Sequence, residues 1–102
     1  MSAAGERHMA RVRMLPCLIC CQLTVMRVNE ILEMCRRVSV PLSSAHHCFD
    51  TSDRNDFLTI PLCYEHHQGR TGFHGLGERA FNMRYKTSET KLLAVTLELL
   101  AP

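Results

Sequence analysis

The stretch Ile60-Pro-Leu-Cys-Tyr-Glu-His-His67 carries the pair Cys63-x-x-His66 at the end of an apolar run. A second pair with the same spacing, Cys17-x-x-Cys20, lies far upstream. Tetrahedral Zn2+ takes four thiolate or imidazole ligands at about 2.0–2.3 Å, and two such pairs from separate segments supply them. The two pairs therefore predict a structural zinc site with the ligands Cys17, Cys20, Cys63 and His66.

The elements predicted around these pairs form a small α+β domain. Apolar periodicity indicates helices and β-branched runs indicate strands. We predict a flexible tail over 1–10 and a single domain over 11–102. The domain begins with a helical turn at 11–15 and a zinc knuckle, followed by a helix over 23–38. Next come a strand over 38–42, a loop over 50–56, a strand over 57–62, and helices over 78–86 and 89–100. A knuckle, a β-hairpin and a helix in this order make a treble clef, to which the additional helices are attached. Ser88 is the predicted N-cap of the last helix, and Glu89 suits the positive end of its dipole.

Composition narrows the class of protein. The 102 residues are enough for one domain, and six Cys with six His indicate a metal site or disulfides. No apolar run approaches the roughly 20 residues needed to cross a bilayer, so we expect no membrane association. The polar start lacks a signal peptide, and we expect a cytoplasmic protein with reduced thiols. The net charge of +2 predicts only weak binding to DNA by the chain alone.

Three cysteines have no partner at metal-binding spacing: Cys21, Cys35 and Cys48. Cys35 lies on the apolar face of the predicted helix and is expected in the core. Whether Cys21 competes with Cys20 for the zinc stays open. A disulfide-rich secreted protein is a further alternative, which bound zinc together with free thiols would exclude.

Five histidines are left over once His66 is assigned to zinc, and His8 among them is expected to be a surface residue. The other four are His46, His47, His67 and His74. The predicted hairpin and helix bring the first two across from His67. Hydrolysis of a phosphodiester needs a cation at the leaving oxygen and a base that deprotonates water, and imidazole suits the second task. Because adjacent strand residues point to opposite faces, one of the paired histidines would ligate a metal and the other would polarise water.

The motifs Cys17-x-x-Cys20, Ala45-His46-His47 and Ile60-Pro-Leu-Cys63-x-x-His66-His67 together resemble the HNH (ββα-metal) endonucleases. The stretches 8–12, 57–63, 71–77 and 81–93 more narrowly resemble the phage recombination-enhancement, RecA-dependent nuclease family. This resemblance covers about half of the chain.

The resemblance implies a metal-dependent DNA endonuclease, a phosphodiester hydrolase acting in phage or bacterial recombination. His47 would be the general base and His46 a ligand of a catalytic divalent cation, Mg2+, Mn2+ or Zn2+. His67 matches the last ligand of the general motif and His74 a histidine of the narrower family, so His67, His74 or both are candidate ligands beside His46. DNA and a RecA-type recombinase filament are the implied partners.

The sequence departs from the family motif at its central asparagine, where Leu58 stands, with Asn55 and Asp56 as nearby substitutes. This departure favours an alternative function: a catalytically inactive, zinc-stabilised module that binds DNA or a recombinase. The candidates for phosphate contacts are Arg54, Arg70 and Arg79.

Overall fold

A two-stranded antiparallel hairpin forms the centre of the computed structural model, which describes residues 2–38, 41–49 and 54–102. Strand β1 (Ser44–His47) pairs with β2 (Thr59–Leu62) in the register Ser44↔Leu62 to His47↔Thr59. The described helices are α1 (Ala3–Arg13), α2 (Leu18–Leu23), α3 (Val28–Arg37), α4 (Tyr64–His67), α5 (Phe73–Leu76), α6 (Glu78–Tyr85) and α7 (Glu89–Leu100). The protein is therefore a small α+β structure, and none of its described helices is long and apolar enough to cross a membrane.

The core forms where helices cover the hairpin. All four residues of β2 are buried, and α1, α2 and α7 pack against this strand. Ile60 and Leu62 lie in the same apolar cluster as Ile19 from α2 and Phe81 from α6. The position of β2 is therefore fixed on several sides, and α4, which follows β2 directly, begins from a rigid support.

The N-terminal segment is a helix, so the prediction of a flexible tail is wrong for residues 3–10, and the boundary predicted at residue 11 falls inside α1. Ser2 caps this helix by accepting a hydrogen bond from the Gly5 backbone N–H at 3.0 Å. Met9 and Val12 are buried, and α1 packs on both strands. Only a narrow stripe of this segment is apolar, so its polar composition does not indicate a helix.

The helix predicted over 23–38 begins later than predicted, at Val28. Helix α2 ends at Leu23, and the Thr24 hydroxyl donates to the carbonyl oxygens of Cys20 and Cys21 at its end. Val25 has a left-handed backbone with φ 56°, so the chain turns before α3 begins at Val28. The apolar periodicity is therefore correct only from Val28 onward.

The first strand lies later in the chain than predicted. Residues 39 and 40 of the strand predicted over 38–42 lie outside the described residues, and Leu42 donates its N–H to the carbonyl of Arg13 in α1 instead of joining the sheet. Residues 50–53 of the predicted loop also lie outside the described part. The second predicted strand is confirmed over Thr59–Leu62. The predicted C-terminal helices are confirmed too, although α6 ends at Tyr85, and Ser88 caps α7 by accepting from the Lys91 N–H.

Candidate metal centres

The four side chains predicted to bind zinc lie close together in the structure: Cys17, Cys20, Cys63 and His66. Their donor atoms all lie within 4.8 Å of one another. The sulfurs of Cys20 and Cys63 are 3.9 Å apart, and His66 Nδ1 lies 3.2–3.5 Å from the three sulfurs. A tetrahedral zinc site has edges of about 3.8 Å between sulfurs and about 3.6 Å between sulfur and nitrogen. This zinc cluster, as we call these four residues, could therefore hold a metal ion such as zinc.

Local structure explains how the zinc cluster forms. Cys17 and Cys63 are the residues immediately before α2 and α4, so each pair spans the first turn of a helix. Burial raises the pKa of the Cys20 thiol to about 12 and also raises the pKa of Cys17. Because a zinc ligand must be a thiolate, binding of the metal would release protons here.

The remaining cysteines stay outside the zinc cluster. Cys21 is buried in the apolar core next to Leu18 and Ile19, so the structure gives it no place beside Cys20 as a ligand. Cys35 packs against the same core, as predicted. None of the six cysteines forms a disulfide in the structure.

A second group, His46, His67 and His74, also has its nitrogens within 4.8 Å of one another. The three rings come from β1, α4 and α5, and their centroids are 4.9–5.4 Å apart. We call these residues the histidine cluster. The sequence left open whether His67, His74 or both are ligands, and the structure brings both beside His46.

In two of these imidazoles, hydrogen bonds determine which ring nitrogen carries the lone pair. His46 Nε2 lies 2.9 Å from the carboxylate of Glu89 and must donate to it, which leaves Nδ1 with the lone pair. The Ser44 hydroxyl donates to the Leu62 carbonyl at 3.0 Å, so it accepts from His67 Nδ1 at 2.7 Å and leaves the lone pair on Nε2. His46 Nδ1 is buried with no hydrogen-bond partner in the described part of the chain. These features fit a cation, which would take such lone pairs.

Electrostatics keep these two imidazoles neutral near pH 7. Burial lowers the pKa of His46 to about 4, with a smaller effect from the charge of His74. Burial likewise lowers the pKa of His67 to about 4, with His46 as the next cause. Neutral imidazole is the form that ligates metals, so no proton has to leave before a cation binds at neutral pH.

His47 lies outside the histidine cluster and has different partners. Its Nε2 is 2.9 Å from Asp56 Oδ1, and Arg54 Nη2 donates to its Nδ1 at 2.9 Å. Asn55, the other substitute for the missing asparagine, accepts a hydrogen bond from the Phe57 N–H instead. Asp56 is therefore the residue that orients His47.

One cleft of about 570 Å³ borders the histidine cluster and His47. Its lining residues include His46, His47, Arg54, His67, His74 and Glu89. Neither Arg70 nor Arg79, the other arginines considered for phosphate, is among the described residues that line it. The roles of Ser44 and Glu89 were not predicted, because no local pattern indicates that a residue of α7 or the first residue of a strand will contact a particular histidine.

The fold and site define a small α+β protein with a Cys3His cluster and a separate histidine cluster at a cleft. Comparison with protein-family models, with curated proteins and with solved structures gives no match.

Proposed function

We propose that the chain is a metal-dependent DNA endonuclease of the HNH (ββα-metal) type that hydrolyses phosphodiester bonds. One observation carries the proposal: the histidine cluster and the oriented His47 border the same cleft. The order of Cys17–Cys20 turn, hairpin and α4 supports a treble-clef arrangement around the zinc cluster. The narrower resemblance to the RecA-dependent phage nucleases adds recombination as the proposed context, with DNA and a recombinase filament as partners.

The residues of the histidine cluster would hold the catalytic cation. The ion, when bound, supplies positive charge for the oxygen that leaves phosphorus. Three imidazoles favour Mn2+, Ni2+ or Zn2+ over Mg2+, which prefers oxygen ligands. His46 and His67 bring lone pairs already fixed by Glu89 and Ser44.

His47 would act as the general base. Asp56 accepts the Nε2 proton of His47, so the lone pair lies on Nδ1, the nitrogen that would take a proton from water. Arg54 must first leave Nδ1. A phosphate group would favour that change, because a guanidinium binds an anion more strongly than a neutral imidazole.

The contact of Arg54 with Nδ1 also favours the second candidate function, an inactive zinc-stabilised module that binds DNA or a recombinase. In such a module Arg54 would keep His47 permanently blocked. The two functions differ in whether the chain cleaves DNA.

A plasmid-nicking assay tests the choice, with zinc-loaded protein, added Mg2+ or Mn2+, and a RecA-type filament present or absent. We expect nicking by the wild type and a fall of about 10²–10⁴-fold in His47→Ala. Asn55→Ala is the matched control, because Asn55 is close to the site but bonds to the Phe57 backbone. No cleavage by the wild type under any of these conditions would favour the binding module.

A further inference from the structure

We infer that Glu89 is a positioning residue of the histidine cluster, and that its carboxylate decides which nitrogen His46 presents to a cation. This inference rests on the proposed metal site and adds a residue from the C-terminal helix to it. The sequence alone predicts only that Glu89 interacts with the dipole of its own helix.

Glu89 is held in one place by several contacts. Its side chain is only 5% exposed, and Oε2 lies 2.9 Å from His46 Nε2. Its two oxygens are also 3.2 and 3.3 Å from the backbone N–H of Phe49. As the first residue of the 12-residue helix α7, it lies where the helix dipole stabilises a negative charge. The carboxylate therefore joins the N-terminus of α7 to the end of β1.

The contact with Glu89 determines the tautomer of His46. A carboxylate only accepts hydrogen bonds, so the imidazole proton lies on Nε2 and the lone pair on Nδ1. The ring is also fixed by Phe73, whose centroid is 4.4 Å away. Nδ1 is buried without a hydrogen-bond partner among the described residues. Leaving such an atom unpaired has a cost in free energy, which a cation bound at Nδ1 would remove.

This arrangement is the one that strengthens a metal ligand. A histidine that donates its other N–H to a carboxylate is oriented and made more basic, and loss of the carboxylate weakens metal binding by about 10–100-fold. A purely structural role for Glu89 makes a different prediction, since it requires only that the strand and the helix stay joined.

A second acid on the cleft makes the matched control possible. Glu78, in the first turn of α6, also lines the cleft but is exposed. Both Glu89→Gln and Glu78→Gln remove one negative charge from the cleft. Only Glu89→Gln removes the carboxylate next to His46.

The test is a titration of the zinc-loaded protein with Mn2+ alone, in which electron paramagnetic resonance measures the binding. We expect Glu89→Gln to raise the dissociation constant of Mn2+ by at least about tenfold, with unchanged zinc content, and Glu78→Gln to change it much less. Equal affinities of wild type and Glu89→Gln, or equal losses in the two variants, would overturn the inference. A wild type that binds no Mn2+ would refute the metal site of the proposed function, and the inference with it.

A measurement on the wild type covers the case in which Glu89→Gln fails to fold. Long-range ¹H–¹⁵N spectra of the protein without added Mn2+ report which ring nitrogen of His46 carries the proton. We expect the Nε2–H tautomer. The Nδ1–H tautomer would overturn the inference even if the histidine cluster binds Mn2+.

Discussion

His66 and His67 are adjacent in α4, yet they belong to different clusters. His66 Nδ1 lies 3.2 Å from Cys63 Sγ, whereas His67 Nδ1 lies 2.7 Å from Ser44 Oγ. Successive side chains of a helix diverge by about 100°, so one helical turn can serve two sites. The zinc cluster therefore also determines where α4 presents His67 to the cleft.

Loss of a zinc ligand should consequently damage both sites. We predict that Cys63→Ser releases the zinc and lowers the thermal midpoint strongly, because zinc binding supplies folding free energy in small domains, on the order of 10 kcal/mol in zinc fingers. Circular dichroism with measured zinc content checks this. Cys35→Ser is the control, since Cys35 packs on the core outside the zinc cluster. A Cys63→Ser protein as stable as the control would show that the cluster is not structural.

The orientation of His47 should depend on the charge of Asp56. We predict that Asp56→Asn reduces the nicking rate by about 10²–10⁴-fold, since an amide can also donate to Nε2 and stabilise the wrong tautomer. Thermal unfolding should change little, because Asp56 is only partly buried. The measurement is the single-turnover nicking rate. A rate equal to that of Asn55→Ala would show that Asp56 does not orient His47 for the reaction.

Helix α1 should influence the cleft through Gly5. A Cβ at Gly5 would lie 2.6 Å from Asp56 Oδ2 and 2.9 Å from Asp56 Cβ, so Asp56 has to shift. We predict that Gly5→Ala slows nicking even though alanine favours a helix by up to about 1 kcal/mol. The control is Ala4→Gly, at an exposed position of α1, which should lower stability and leave the nicking rate unchanged. The reverse pattern would show that α1 does not position Asp56.

Acid should destabilise the protein through His46. Its folded-state pKa of about 4 lies below its ordinary value of 6.5, so between these values the unfolded chain binds a proton that the folded chain does not. The free energy of unfolding should fall as the pH drops through this window, by up to about 1.4 kcal/mol per pH unit from this residue. Above pH 6.5 the contribution is constant. Urea unfolding of wild type and His46→Gln checks it: the variant should have the shallower pH dependence, and parallel curves would contradict the assignment.

Local signals in the sequence predict part of this structure well. The two pairs at three-residue spacing identify the zinc cluster, because each pair lies within one helical turn. The cap at Ser88 and the periodicity after it define α7 for the same reason. The contact between His46 and Glu89 joins residues 43 positions apart and leaves no local pattern.

The incorrect predictions concern features that depend on contacts between residues far apart in the sequence. Helix α1 is stabilised by packing on the hairpin more than by its own apolar content, and the turn at Val25 interrupts a periodic pattern that suits one continuous helix. The choice of Asp56 over Asn55 depends on which side chain the turn directs at His47. Such directions follow from tertiary packing and were left open by the sequence.

The zinc cluster and the histidine cluster together should hold two metal ions, and the metal stoichiometry of the protein decides whether they do. Zinc-loaded protein is dialysed against Mn2+ and the bound metals are counted by mass spectrometry under native conditions. We predict one retained zinc and one exchangeable Mn2+, and we predict that His74→Ala keeps the zinc and loses the Mn2+, since His74 is an exposed member of the histidine cluster. A wild type that never binds more than one ion would show that the histidine cluster is not a metal site, and so would a His74→Ala protein that binds Mn2+ as the wild type does.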